Sequence, residues 1–164
     1  MKLGPLSLKS IIFDFDGVLT DNRVFCDSNG NEFVACNRAD GLAFDVLKKL
    51  EFKLIILSTE KNPVVSARAK KLGVQVIQGV SNKKDELIKM EREGTISLGL
   101  SMFVGNDLND YRAMEICRYR CCPSDSHPLI IDLSDFVLQS KGGQGIVREI
   151  AESLLNINFL DYIK

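Results

Sequence analysis

Ser10-Ile11-Ile12-Phe13-Asp14-Phe15-Asp16-Gly17-Val18-Leu19-Thr20-Asp21 carries an unbroken apolar run straight into a cluster of carboxylates. An apolar segment without polar alternation reads as a strand buried on both faces, the central position of a parallel sheet. Residues 10–15 are expected to form that strand, with the acidic C-terminal end facing a site. Downstream, residues 23–26 and 32–36 flank Asp27-Ser28-Asn29-Gly30-Asn31, and Asn-Gly between apolar runs predicts a hairpin. The spacing then predicts helices over 40–51, 63–72, 84–93, 109–116, 128–132 and 146–155. Strands interleave at 53–57, 74–77, 102–104, 119–122 and 136–138. Such alternation implies an α/β fold, a doubly wound and mostly parallel sheet in three Rossmann-like layers. Ligands of this architecture bind off the C-terminal strand ends. No repeat, low-complexity tract or linker divides the chain, so residues 1–164 read as one domain with a hairpin flap at about 23–36.

Composition narrows the class of partner. Lys plus Arg is 21 and Asp plus Glu is 22, a formal net charge of −1. That balance gives no electrostatic reason to expect nucleic acid or an anionic membrane, and it points to a small molecule. No apolar run approaches the ~20 residues of a spanning helix. The cysteines (Cys26, Cys36, Cys117, Cys121, Cys122) form neither zinc-type pairs nor a disulfide framework. They are expected to be reduced, buried thiols of a cytoplasmic protein.

Chemistry concentrates at the strand ends. Asp14 and Asp16 lie so close that they repel unless a cation stands between them or one holds a proton. A hard divalent metal or an acid/base role satisfies that constraint, and a phosphoryl-transfer site supplies both. The alternative is a turn with solvated aspartates. Ile55-Ile56-Leu57-Ser58-Thr59 puts hydroxyls after another strand, where they could bind a phosphoryl oxygen or merely cap a helix. Phe103-Val104-Gly105-Asn106-Asp107-Leu108-Asn109-Asp110 ends a later strand in an acidic turn, which could likewise be a cap. Lys83, before a helix, could neutralise a phosphate or simply face solvent. All four fall in order at C-terminal strand ends, and together they favour a site. Within the 63–72 helix, Arg68 falls inside the apolar arc of Val64, Val65, Ala69 and Leu72, with Lys71 just outside it. Arg68 therefore needs a partner: a carboxylate, an anionic substrate, a neighbouring subunit, or snorkelling at the arc's edge.

The four pieces, DFDGVLTD, ILST, the lysine and VGNDLND, resemble the four motifs of the haloacid dehalogenase superfamily of phosphotransferases, over nearly the whole chain. With no room for a large cap domain, the chain is similar to the capless subclass. Asp40-Gly41, Ser126-His127-Pro128 and the run from Lys141 to Glu149 more narrowly resemble 3-deoxy-octulosonate 8-phosphate phosphatases and the related nonulosonate (sialic-acid-like) 9-phosphate phosphatases. The resemblance implies a magnesium-dependent phosphatase acting on a sugar-acid phosphate, of the kind that serves lipopolysaccharide synthesis. It also implies a homotetramer in which a neighbour's hairpin and C-terminal segment, here about 141–164, help close the site.

Carried over, Asp14 is the nucleophile, Asp16 the general acid/base, and Ser58 and Lys83 hold the phosphoryl group. Asp14, Asp16, Asn106 and Asp107 hold Mg2+, with Asp110 in support. Glu60, Arg68 and Lys71 resemble the acidic and basic set of the nonulosonate branch, and Arg148 would face an anion. Asn106 stands where the family usually has an aspartate and brings the metal no negative charge. That departure leaves a second reading open, a weakened or inactive homologue serving as an oligomerisation or regulatory module of a sialic-acid-type activating enzyme. A receiver-like signalling domain would need its aspartate near residue 55, where this chain has Leu57 and Ser58. His127, the lone histidine, reads as a helix start or surface residue.

Overall fold

The computed structural model describes residues 8–162. Its centre is a six-stranded sheet of β1 (Ser10–Phe13), β4 (Lys53–Leu57), β5 (Gln75–Ile77), β6 (Ser101–Val104), β7 (Tyr119–Cys122) and β8 (Phe136–Val137), while β2 (Phe25–Cys26) and β3 (Glu32–Phe33) pair apart from it. The order is β5-β4-β1-β6-β7-β8, with every neighbour parallel. From β1 the chain winds outward through β4 and β5, then returns to β1's other side as β6. The winding reverses between β1 and β6, and a crevice forms at such a reversal.

Side-chain alternation along the strands builds both faces of the core. Ile11 and Phe13 of β1, Leu54 and Ile56 of β4, and Met102 and Val104 of β6 pack on one face. There they meet α1 (Arg38–Lys49), α2 (Val64–Leu72) and α6 (Ile146–Glu149) through Phe44, Val65 and Val147. Ile12, Ile55, Leu57 and Phe103 face the other way, against α3 (Lys83–Arg92), α4 (Tyr111–Ile116) and α5 (Pro128–Leu133). The three expected layers are present. Among the described residues no helix is long and apolar enough to cross a membrane.

Several boundaries differ from expectation for local reasons. β1 ends at Phe13, because past it Phe15 O collects the amides of Val18, Leu19 and Thr20 into a turn. α1 begins at Arg38 rather than 40, since Asn37 Oδ1 accepts from Ala39 N and caps it. Asp40 is thereby buried in the first turn. The hairpin strands shrink to two residues each, with Asp27 Oδ1 and Oδ2 collecting Asn29 N, Asn31 N and Asn31 Nδ2 across the turn. An antiparallel bridge from Thr20 to Cys36 closes the base of the flap. The last helix widens into a π turn over Ile150–Leu154. All five cysteines are free; Cys26 is exposed and Cys36 half-buried, so only Cys117, Cys121 and Cys122 match the expected buried thiols.

Candidate active site

Asp14 follows β1 and remains in register, its N–H donating to Val104 O at 2.9 Å. This pins Asp14 beside the start of the Gly105–Asp110 turn, across the crevice where the winding reverses. Asp14, Asp16, Ser58, Asn106 and Asp107 converge on a pocket of about 90 Å³, together with Asn22, Thr59 and Asn109. A larger hollow of about 550 Å³ opens at the other end of the strands, by Lys9 and Phe52, and holds none of these groups.

Lys83 ties the site together from the first turn of α3. Its Nζ lies 2.7 Å from Asp14 Oδ1 and 2.6 Å from Asp110 Oδ1, with all three side chains buried. Burial alone would lower the lysine's pKa, but the two carboxylates outweigh it and raise it. Burial pushes the Asp14 carboxyl up, and the charge of Asp110 adds to this, against the pull of Lys83. Both Lys83 and the Phe15 amide (2.7 Å) act on Oδ1, so Oδ2 has no hydrogen-bond partner among the described residues.

Asp110 also organises its own turn. Its Oδ2 accepts from Asn106 N at 2.9 Å and Asp107 N at 3.4 Å. Gly105 permits this, because a Cβ there would stand 2.6 Å from Asp110 Cβ. Asp16 is half-buried, and Thr20 Oγ1 donates to its Oδ1 at 3.5 Å. Desolvation first, and the charge of Glu60 second, raise the Asp16 carboxyl. Ser58 is buried and its Oγ accepts from Glu60 N at 3.1 Å, which leaves its O–H free to donate into the pocket.

The donor set fits a hard cation. Asn106 Oδ1 is a buried oxygen without a hydrogen-bond partner, and an oxygen in that condition is stabilised by a cation. Gly17, at φ 76°, leaves the space for Asn106, since a Cβ there would lie 2.0 Å from Asn106 Nδ2. Among the described residues no three His, Cys, Asp or Glu side chains form a metal cluster. The set on this pocket is the three carboxylates of Asp14, Asp16 and Asp107 with the Asn106 amide.

No family model matches the chain. The 3-deoxy-D-manno-octulosonate 8-phosphate phosphatase KdsC of Escherichia coli (strain K12) is 32% identical over 150 residues, spanning 91% of this chain and 80% of that protein. The chain belongs to this family. Two solved structures superpose closely on this phosphatase. A haloacid dehalogenase-family hydrolase of Streptomyces avermitilis gives a TM-score of 0.93 at 35% identity, covering 97% of this chain and 91% of that one. The octulosonate 8-phosphate phosphatase of Moraxella catarrhalis, solved with magnesium, phosphate and the sugar acid, gives 0.87 at 29% identity over 93% and 88%.

The remaining expected residues do not all gather at this pocket. Glu60 lies beside Asp16 electrostatically, but its Oε1 accepts from Lys61 N and Asn62 N within its own turn. Arg68 finds a partner inside the chain, donating from Nη2 to Asn37 O at 2.8 Å. With Lys71, Cys36 and Arg38 it lines a separate pocket of about 460 Å³. Arg148 pairs with Glu152 at 2.7 Å, lies over the Phe159 ring and lines a third hollow. The glycine segment instead packs on its own chain's acidic loop, Gly143 N donating to Val18 O at 2.9 Å. His127 caps α5, its Nδ1 accepting from Leu129 N. Asn22 went unrecognised in the sequence, while Thr59 stands out there only among the hydroxyls after the strand and Asn109 only within the acidic turn. Polar residues after a strand usually cap or turn, and the left-handed φ of Asn22 has no signature of its own.

Proposed function

We propose that this phosphatase hydrolyses a sugar-acid phosphate monoester, an octulosonate 8-phosphate or a nonulosonate 9-phosphate, through a phosphorylated Asp14. The observation that carries the reading is the convergence of Asp14, Asp16, Ser58 and Asn106 on one pocket backed by Lys83. Relatives that act on octulosonate 8-phosphate favour the same class. Asp14, Asp16, Asn106 and Asp107 would hold Mg2+, which supplies positive charge against the phosphoryl oxygens.

In this mechanism Asp14 Oδ2 attacks phosphorus while the bond to the sugar oxygen breaks. Asp16 protonates that oxygen as it leaves. Ser58 O–H and Lys83 hold the phosphoryl group in line, and positioning of this kind supplies most of the rate. Asp16 then takes a proton from water, which attacks phosphorus and releases Asp14 and inorganic phosphate.

Arg68 and Lys71 are proposed to bind the carboxylate end of the sugar acid. Because they open onto a different pocket from Asp14, they would serve the site of a neighbouring subunit. The exposed Val24, Phe25 and Phe33 of the flap (51%, 62% and 58% exposed) are an apolar surface suited to such an assembly. A homotetramer in the cytoplasm is the proposed state.

Asn106 favours a second reading, an inactive module retained for assembly, because an amide adds no charge to a cation site. One assay separates the two. Phosphate release is measured on octulosonate 8-phosphate, nonulosonate 9-phosphates and unrelated sugar phosphates, with and without magnesium. Magnesium-dependent turnover lost by about 10³-fold or more in Asp14→Asn supports the enzyme. Absence of release from every substrate supports the module.

A further inference from the structure

Asn22 is a non-glycine residue in the left-handed region at the edge of the active pocket, with φ 64°. An asparagine adopts that conformation more readily than most residues, as Asn156 does at φ 55° elsewhere in the chain. What holds it is a short polar chain. Asn22 N donates to Thr20 Oγ1 at 3.2 Å, and Thr20 Oγ1 donates to Asp16 Oδ1 at 3.5 Å. The turn is thus bonded through one hydroxyl to the carboxyl proposed to protonate the leaving oxygen.

The Asn22 side chain has no hydrogen-bond partner among the described residues, and neither have the side chains of Thr59 and Asn109 on the same pocket. All three are exposed and uncharged. An amide or hydroxyl both donates and accepts, as does an alcohol, whereas phosphate and carboxylate accept only. The phosphoryl end already has Lys83 and Ser58, and Asn106 is assigned to the metal. We infer that Asn22 is a specificity-determining residue that binds a hydroxyl of the leaving group next to the phosphate ester, with Thr59 and Asn109 completing a polyol-reading rim. This rests on the phosphatase reading and adds the chemistry of the substrate's phosphate-proximal end: a hydroxylated carbon chain, independent of any distant carboxylate.

The test compares Asn22→Gly with the unaltered full-length protein on the best sugar-acid phosphate, on sugar phosphates lacking a carboxylate, and on p-nitrophenyl phosphate, all with magnesium. Glycine accepts the backbone conformation, so thermal unfolding within about 2 °C of the parent, or higher, shows the fold retained. Loss of one neutral hydrogen bond is worth about tenfold. The expected result is a fall in kcat/KM of about tenfold on hydroxylated substrates and of no more than about twofold on p-nitrophenyl phosphate. Equal losses on all substrates, or no loss on hydroxylated ones, overturn the assignment. So does a parent enzyme with no preference for hydroxylated leaving groups over nitrophenol. If the parent hydrolyses neutral sugar phosphates but not sugar acids, the sugar-acid reading fails while the role of Asn22 stands or falls on the same comparison.

Discussion

Lys83 Nζ stands 2.7 Å from Asp14 Oδ1, a contact between side chains 1% and 6% exposed that joins the end of β1 to the start of α3. Asp110, on the far side of the same ammonium at 2.6 Å, makes Lys83 the counter-ion of two buried carboxylates. Removing the lysine leaves two acids facing each other out of water. Lys83→Met should therefore destabilise the protein by about 3 kcal/mol as well as abolish turnover. Urea unfolding at pH 7 checks this; a change below about 1 kcal/mol would mean that the pair is not held as described.

Gly17 and Asn106 are equally interdependent. Gly17→Ala brings a methyl into Asn106 and strains a left-handed backbone. A stability loss of about 1–3 kcal/mol and a loss of magnesium affinity are expected together.

Asn106→Asp acts in the opposite sense on the metal. The added charge should tighten magnesium about tenfold, since hard cations follow ligand charge, while it lowers metal-free stability by crowding Asp14 and Asp16. Calorimetric titration with magnesium reads the affinity without reference to turnover. Unchanged affinity would remove residue 106 from the metal set.

Asp40 provides a pH test away from the pocket. Its Oδ1 accepts from Val147 N and Arg148 N, Oδ2 is buried without a partner, and burial raises the carboxyl to about 6 from 3.8. A raised acid binds its proton more tightly in the folded state, so this contribution is present below about pH 4 and is lost as pH rises through about 6. Asp40→Asn keeps the acceptor and removes the charge. It should be more stable than the parent by ~1–2 kcal/mol at pH 8, with the difference vanishing near pH 4. A difference independent of pH would contradict the burial of an ionisable group there.

Arg68→Ala should raise KM for the sugar-acid phosphate about tenfold, the weight of one charged hydrogen bond, with little effect on p-nitrophenyl phosphate. If Arg68 serves a neighbour's site, mixed assemblies of Asp14→Asn and Arg68→Ala subunits should regain activity toward the sugar acid. Failure of every mixture to do so would confine Arg68 to its own subunit.

The strands and the acidic and hydroxyl residues at their ends were legible in the chain itself. A run such as Ile11-Ile12-Phe13 is apolar on both faces wherever it lies; Asp14 and Ser58 follow such runs directly, and Asn106 follows one after Gly105. Parallel pairing then forces those ends to one edge of the sheet. Only the tertiary structure decided the rest. Lys83 is marked in the sequence only by its order among the motifs and the resemblance; its burial as a counter-ion depends on where α3 lands against Asp110. Likewise, Arg68 and Arg148 lie on helices whose distance from Asp14 is fixed by packing across layers, which no local pattern encodes.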